Sequence, residues 1–174
     1  MAIATTDIKK RLSGGANNAD PNASLGGVKS STELAPAAAN NLFDDVSGAE
    51  SSAGDIEYRC LYIHNAHATL TLQNAKVWIG ANTPSPGSDV AIGLDPAGVG
   101  DGSSTGVAAT IADENTAPTG VAFSAAADEA NGLAVGDIPP GESIAVWIRR
   151  TISAGAAAYN NDSMQLNWSG DTAA

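Results

Sequence analysis

Two histidines, one cysteine and three acidic pairs are the residues of this 174-residue chain whose types could do chemistry. His64 and His67 stand three apart in His64-Asn-Ala-His67. A zinc site needs three or four ligands converging at ~2 Å, and no third soft ligand is near in sequence, so the pair reads as turn or surface histidines. Ser-His-Asp chemistry needs a serine on a strained elbow, and no Gly-x-Ser-x-Gly segment occurs. Asp44-Asp45, Asp113-Glu114 and Asp128-Glu129 read as solvated acidic loops. Sugar cleavage pairs two facing carboxylates with aromatic platforms, and 3 Trp, 3 Tyr and 2 Phe leave few aromatics for that. The Asp-x-Asp-x-Asp-Gly spacing of a calcium loop is absent. Gly98-Val-Gly100-Asp-Gly102 lacks the Lys-Ser/Thr and the following helix of a phosphate cradle, and reads as a flexible loop. Cys60, between Tyr58 and Tyr62, reads as a buried apolar filler, and a single cysteine excludes an intramolecular disulfide. The expectation is a protein with no catalytic residues, no cofactor and no metal.

From residue 55 onward the hydrophobic period is two. In Ile56–His64, Ile56, Tyr58, Cys60 and Tyr62 share one face while Leu61 and Ile63 occupy the other. An apolar surface on both sides marks a central strand. Alternating runs follow around Leu70–Leu72, Val77–Ile79, Val90–Leu94, Val107–Ile111, Val121–Phe123, Leu133–Val135, Ile144–Ile148 and Met164–Trp168. Turn signals separate them, among them Thr83-Pro-Ser-Pro-Gly87 and Asp137-Ile-Pro-Pro-Gly141. About eight short strands with no helical crossover predict an all-β antiparallel sandwich, immunoglobulin-like or jelly-roll, over residues 55–174. Trp147 opposes Ile144, Val146 and Ile148, so it is either an exposed interface anchor or a buried side chain covered by another segment.

Residues 1–54 lack a convincing alternating strand and are rich in Gly, Asn, Ser and Ala. They predict an extended, weakly structured N-terminal arm. One short helix is expected there, with Thr6 as N-cap, Ile8 and Leu12 on one face and Gly14 as stop. The arm carries Ile8, Leu12, Leu25, Val28, Leu34, Leu42 and Phe43, more bulky apolar residues than a solvated tail has use for. Lys9, Lys10, Arg11 and Lys29 make its first thirty residues basic, against an acidic remainder in a chain of net charge −11. These eleven side chains are the expected partner-binding residues. The acidic balance argues against nucleic acid or an anionic membrane as partner. No apolar run reaches the ~18 residues of a membrane span, and Met1–Asp7 shows no stretch of secretory-signal length. An unexported protein is expected.

Four segments carry a resemblance: Asp7-Ile-Lys-Lys-Arg-Leu-Ser-Gly-Gly15, Ile56-Glu-Tyr-Arg-Cys-Leu-Tyr-Ile63, Glu114-Asn-Thr-Ala-Pro-Thr-Gly-Val121 and Ala145-Val-Trp-Ile-Arg-Arg150. In their texture the chain resembles small virion structural proteins of tailed bacteriophages, and in its arm-plus-sandwich layout it is similar to capsid decoration (cement) proteins. The resemblance implies a β-rich knob at capsid symmetry positions, a dimer or trimer on the exterior of the virion. It also implies an arm laid on the major capsid protein and on neighbouring copies. A tail, neck or head-fibre protein, or a carbohydrate-binding adhesin module, is the alternative expectation.

Overall fold

The computed structural model describes residues 2–172. Seven strands run in chain order: β1 (Ile8–Leu12), β2 (Asp55–Asn65), β3 (Leu72–Ala81), β4 (Ser88–Leu94), β5 (Leu133–Ile138), β6 (Ser143–Ile152) and β7 (Gln165–Thr172). A one-and-a-half-turn helix, α1 (Gly48–Ala53), precedes β2. Its capping box is complete, with Ser47 and Glu50 each accepting the other's backbone N–H.

The strands form two antiparallel sheets, one in the order β1-β2-β6-β4 and the other β5-β3-β7. This is a β-sandwich, as the alternating pattern requires. Every connection from β2 to β7 switches sheets, so the two layers are sewn together rather than built one after the other. Between them lies the main core, with Leu61 and Ile63 of β2, Ile144, Val146 and Ile148 of β6, Val90 and Ile92 of β4, and Leu72, Val77 and Ile79 of β3. A second apolar cluster lies on the outer side of the four-stranded sheet, around Tyr58, Cys60, Tyr62, Ala145 and Trp147. β2 and β6 are therefore apolar on both faces because both faces are covered.

Three expectations need correction. The helix expected over Thr6–Leu12 is a three-residue 3-10 turn, Thr5–Asp7, followed by β1. β1 pairs with β2 over five residues, from Ile8 opposite Asn65 to Leu12 opposite Leu61. The ladder to β2 outweighs the weak local preference for a helical turn. Secondly, the division at residue 55 parts a strand from its sheet, since β1 belongs to the sandwich and Ile8, Leu12 and Leu42 lie in the main core. The outer side of β1 is closed in turn by residues 30–34: Leu34 N donates to Lys10 O (2.8 Å), Ser30 N to Leu12 O (2.8 Å), and Leu12 N to Thr32 O (3.1 Å).

Thirdly, the alternating runs at Val107–Ile111 and Val121–Phe123 are not strands. They lie in the long connection from β4 to β5 and make only isolated bridges, Ala108 to Gly27 and Ser124 to Ile92. The connection crosses the outer face of the sheet and presents no continuous ladder to a neighbour, so its apolar residues serve as cover. Ala108 and Ile111 are buried there, with Val121 and Phe123 packed beside them.

Candidate functional site

The N-terminal segment was expected to hold the binding residues, and its apolar members are engaged within the chain. Ile8, Leu12 and Leu42 are buried in the main core, with Leu34 and Phe43 packed against it. Leu25 packs on the outer cluster, and Val28 is half-buried. The segment stitches itself to the sheet and to the long connection through its backbone. Cys60 N donates to Ser24 O (2.8 Å), Ile111 N to Leu25 O (3.0 Å), Gly27 N to Ala108 O (2.9 Å) and Lys29 N to Gly102 O (2.7 Å). Gly26 sits so close to this surface that a Cβ would lie 2.0 Å from Ala109 O and 3.0 Å from the Trp147 ring. Only a glycine with its positive φ of 85° fits there. Trp147 is thus the covered tryptophan, fully buried, with its indole N–H donating to Asp95 at 2.8 Å.

The basic residues are tied down as well. Lys9 pairs with Glu33 at 3.3 Å. Lys10 Nζ donates to Leu166 O of β7, bridging the two sheets at one edge, and burial pushes its pKa down. Arg11 donates to Ser31 O. Lys29 Nζ lies 2.9 Å from His64 Nδ1 and 3.2 Å from Ser143 Oγ. Burial, reinforced by Lys29 and Arg11, pushes the His64 imidazole down to about 4. His67 accepts the Thr69 and Leu70 N–H groups through Nδ1 and so shapes a turn. Cys60 is buried, and burial pushes its thiol pKa up, which keeps it an unreactive filler. The Gly98–Gly102 stretch is held in shape by Asp101, whose carboxylate accepts the N–H groups of Ser103, Ser104 and Thr105. Those bonds hold its pKa well below the usual carboxylate range.

A buried charge cluster is the feature that sequence reasoning missed. Glu57 and Arg59 point to the same side of β2 as Leu61, and both are about 1 % exposed. Arg150 of β6 stands opposite Glu57 in register, with its Nε 2.5 Å from the carboxylate. Arg59 is bound by Glu114 and by Asn22 Oδ1 (3.2 Å). Asp44 lies within 4 Å of both guanidinium groups, and its backbone carbonyl accepts from Arg150 Nη1 at 2.9 Å. Between them lies Phe43, its ring centroid 5.4 Å from the Arg59 guanidinium carbon and 4.7 Å from that of Arg150. Burial raises the pKa of Glu57 while Arg150 opposes the shift.

Asp44, Glu57 and Glu114 place carboxylate oxygens within 4.8 Å of one another, as do Glu50, Asp55 and Glu57. In the first set two guanidinium groups already supply the positive charge. In the second, Glu50 is spent on the α1 cap, and Asp55 accepts from Ile56 N and Asn115 Nδ2, both at 2.8 Å. Chemically the cluster is an ion-pair latch. It fastens the residue 42–45 strap to β2 and β6.

The outer face of the three-stranded sheet contrasts with all of this. Trp78 lies on the side of β3 opposite to Val77 and Ile79, and in register with Asn167 of β7. Gly80 leaves room for Asn167 and Gln165 to fold across β3, since a Cβ there would lie 2.1 Å from Asn167 Nδ2. Gly80, Ala134, Gly136 and Gln165 are exposed, while Lys76, Trp78, Asn167 and Ser169 are half-buried. The result is a polar platform with one indole at its centre and two charged groups on it, Lys76 and the exposed Asp171.

Fold and surfaces define a two-sheet antiparallel β-sandwich clothed on one outer face by its own N-terminal segment and open on the other. No family model matches the chain, and no curated protein or solved structure matches it.

Proposed function

We propose that the chain is a non-enzymatic virion structural protein that decorates a phage capsid, docking as a homo-oligomer on the major capsid protein. The observation that carries the reading is the open platform around Trp78. An open sheet face with a central indole and a polar surround suits contact with a protein shell. The acidic surface fits the role as well, because like-charge repulsion keeps a densely covered particle soluble. The mode of docking differs from an apolar arm laid on the shell. Ile8, Leu12 and Leu42 are spent on the protein's own core, so shell contact falls to the platform. Co-sedimentation with shells stripped of this protein tests the reading: the wild type pellets with the shells, and Trp78→Ala weakens binding at least tenfold. Wild-type protein that stays in the supernatant, or a variant that binds equally well, overturns it.

A carbohydrate-binding adhesin is the second reading, favoured by the Asn167 and Gln165 amides beside Trp78, a combination that suits a sugar ring and its hydroxyls. Glycan binding lost on Trp78→Ala, together with no affinity for shells, decides for it.

A further inference from the structure

Residues 35–41 form an exposed connection held between two firmly anchored ends. On its N-terminal side, Leu34 N is fixed to Lys10 O at 2.8 Å. On its C-terminal side, Leu42 is buried in the core and Phe43 is held between Arg59 and Arg150. Between these anchors, residues 35–40 are all exposed, and the bond from Asn41 Nδ2 to Ala35 O (2.7 Å) is internal to the loop. Two non-glycine residues in this short stretch take left-handed backbone, Ala37 at φ 56° and Asn40 at φ 53°. For alanine that region is disfavoured, because Cβ crowds its own carbonyl. Pro36 fixes its own φ and biases Ala35 towards extended backbone. The loop therefore turns at Pro36–Ala37 by holding an alanine in left-handed backbone.

The segment on the far side of this loop is a complete insert. Residues 8–12 supply an edge strand with five registered pairs, Ile8 and Leu12 plug the core, and residues 24–29 cover Trp147 and Tyr62. Tyr62 Oη donates to Gly27 O (2.7 Å) and accepts from Ala108 N (2.9 Å), locking that cover in place. None of these contacts depends on the insert coming from the same chain. A second copy offers identical β2, β6 and connection surfaces, so every contact can be remade between copies while the loop straightens.

We propose that residues 2–34 exchange between two copies of this chain across the hinge at 35–41, with β1 of each copy completing the sheet of the other. The partner is a second copy because the insert's register and pockets are specified by this chain's own β2. Strain at Ala37 in the closed hinge is what favours the opened form. The inference stands on hinge and register alone, independently of where the protein is assembled.

Lys9 faces His64 across the β1–β2 ladder, which makes the exchange directly readable. Two full-length chains, both Cys60→Ala, carry Lys9→Cys in one and His64→Cys in the other. They are mixed, taken through mild denaturant, refolded and oxidised. The expected product is a disulfide-linked heterodimer, reduced at least fivefold when both chains also carry Ala37→Gly and Asn40→Gly, which relax the closed hinge. A heterodimer yield no greater than that of Lys9→Cys paired with Ser103→Cys, or a yield indifferent to the hinge glycines, overturns the proposal. Light scattering on the wild-type chain after the same treatment serves where the cysteine variants do not fold. A dimer that persists on dilution is expected, and a monomer at every concentration overturns the exchange.

Discussion

The two outer faces of this sandwich are built by the same alternation and finish in opposite ways. On the four-stranded sheet the central outward positions, Tyr58, Cys60, Tyr62, Ala145 and Trp147, are buried beneath residues 24–29 and 108–123, and only towards the end of β2 does Ile56 stay exposed. On the three-stranded sheet they are Lys76, Trp78, Gly80, Asn167 and Ser169, and the face stays open. The outward residue types decide where the loops go. An apolar outer face recruits cover because leaving it wet forfeits about 25 cal/mol for every Å² of apolar surface. A polar one solvates itself and is left free for contact with something else.

Exchanging the tryptophans' fates is the hardest test of that contrast. Trp147→Ala removes a fully buried indole and strips Asp95 of its donor, so a loss of about 3–5 kcal/mol in chemical denaturation is expected. Trp78→Ala, on the open face, should cost only about 1 kcal/mol and leave the fold intact. Equal losses would break the distinction between a covered and an open face. Next in size is Leu12→Ala. If the N-terminal segment belongs to the core, truncating this buried leucine lowers stability by about 2–4 kcal/mol. A shift within error would mean that the segment is not packed as described.

The smallest effect is a pH response confined to the covered face. His64 lies beside Lys29 of the covering segment, with Arg11, Glu33 and Glu142 also acting on it. Its folded pKa of about 4 lies below the unfolded value of about 6.5. The unfolded chain therefore binds the proton that the folded one refuses, and stability falls as pH drops from 7 towards 4. Glu57 opposes the trend, since its raised pKa makes protonation favour the folded state. Melting temperatures at pH 7 and pH 5 should differ less in His64→Gln than in the wild type. An unchanged difference removes His64 as the cause.

The sandwich was legible in the sequence because Ile56–His64 and Ile144–Ile148 alternate cleanly between hard turns. Their two-sided apolarity left Trp147 either exposed or covered, and in the fold it is covered. β1 was not legible, for a geometric reason. Ile8 and Leu12 are four residues apart, a spacing that puts two side chains on one face of a helix and of a strand alike. Val107–Ile111 and Val121–Phe123 mislead in the opposite direction, because alternation marks a surface to bury and not a ladder to join. The latch was hidden for a third reason. Glu57 and Arg59 are adjacent on one strand face, but Phe43, Asp44, Glu114 and Arg150 reach them only through the fold. The open platform leaves a weak trace in sequence, Trp78 set between Lys76 and Gly80 and the polar alternation of Gln165, Asn167 and Ser169.

Central to this account is that the N-terminal segment is part of the sandwich, and hydrogen–deuterium exchange on the intact protein tests it most directly. The amides of Leu12, Gly27, Lys29, Ser30 and Leu34 donate to backbone carbonyls within the fold and should be protected to nearly the degree of β2, while residues 35–40 exchange freely. Exchange of those five amides as fast as that of residues 35–40 would contradict the account and return the segment to the status of an arm awaiting a partner.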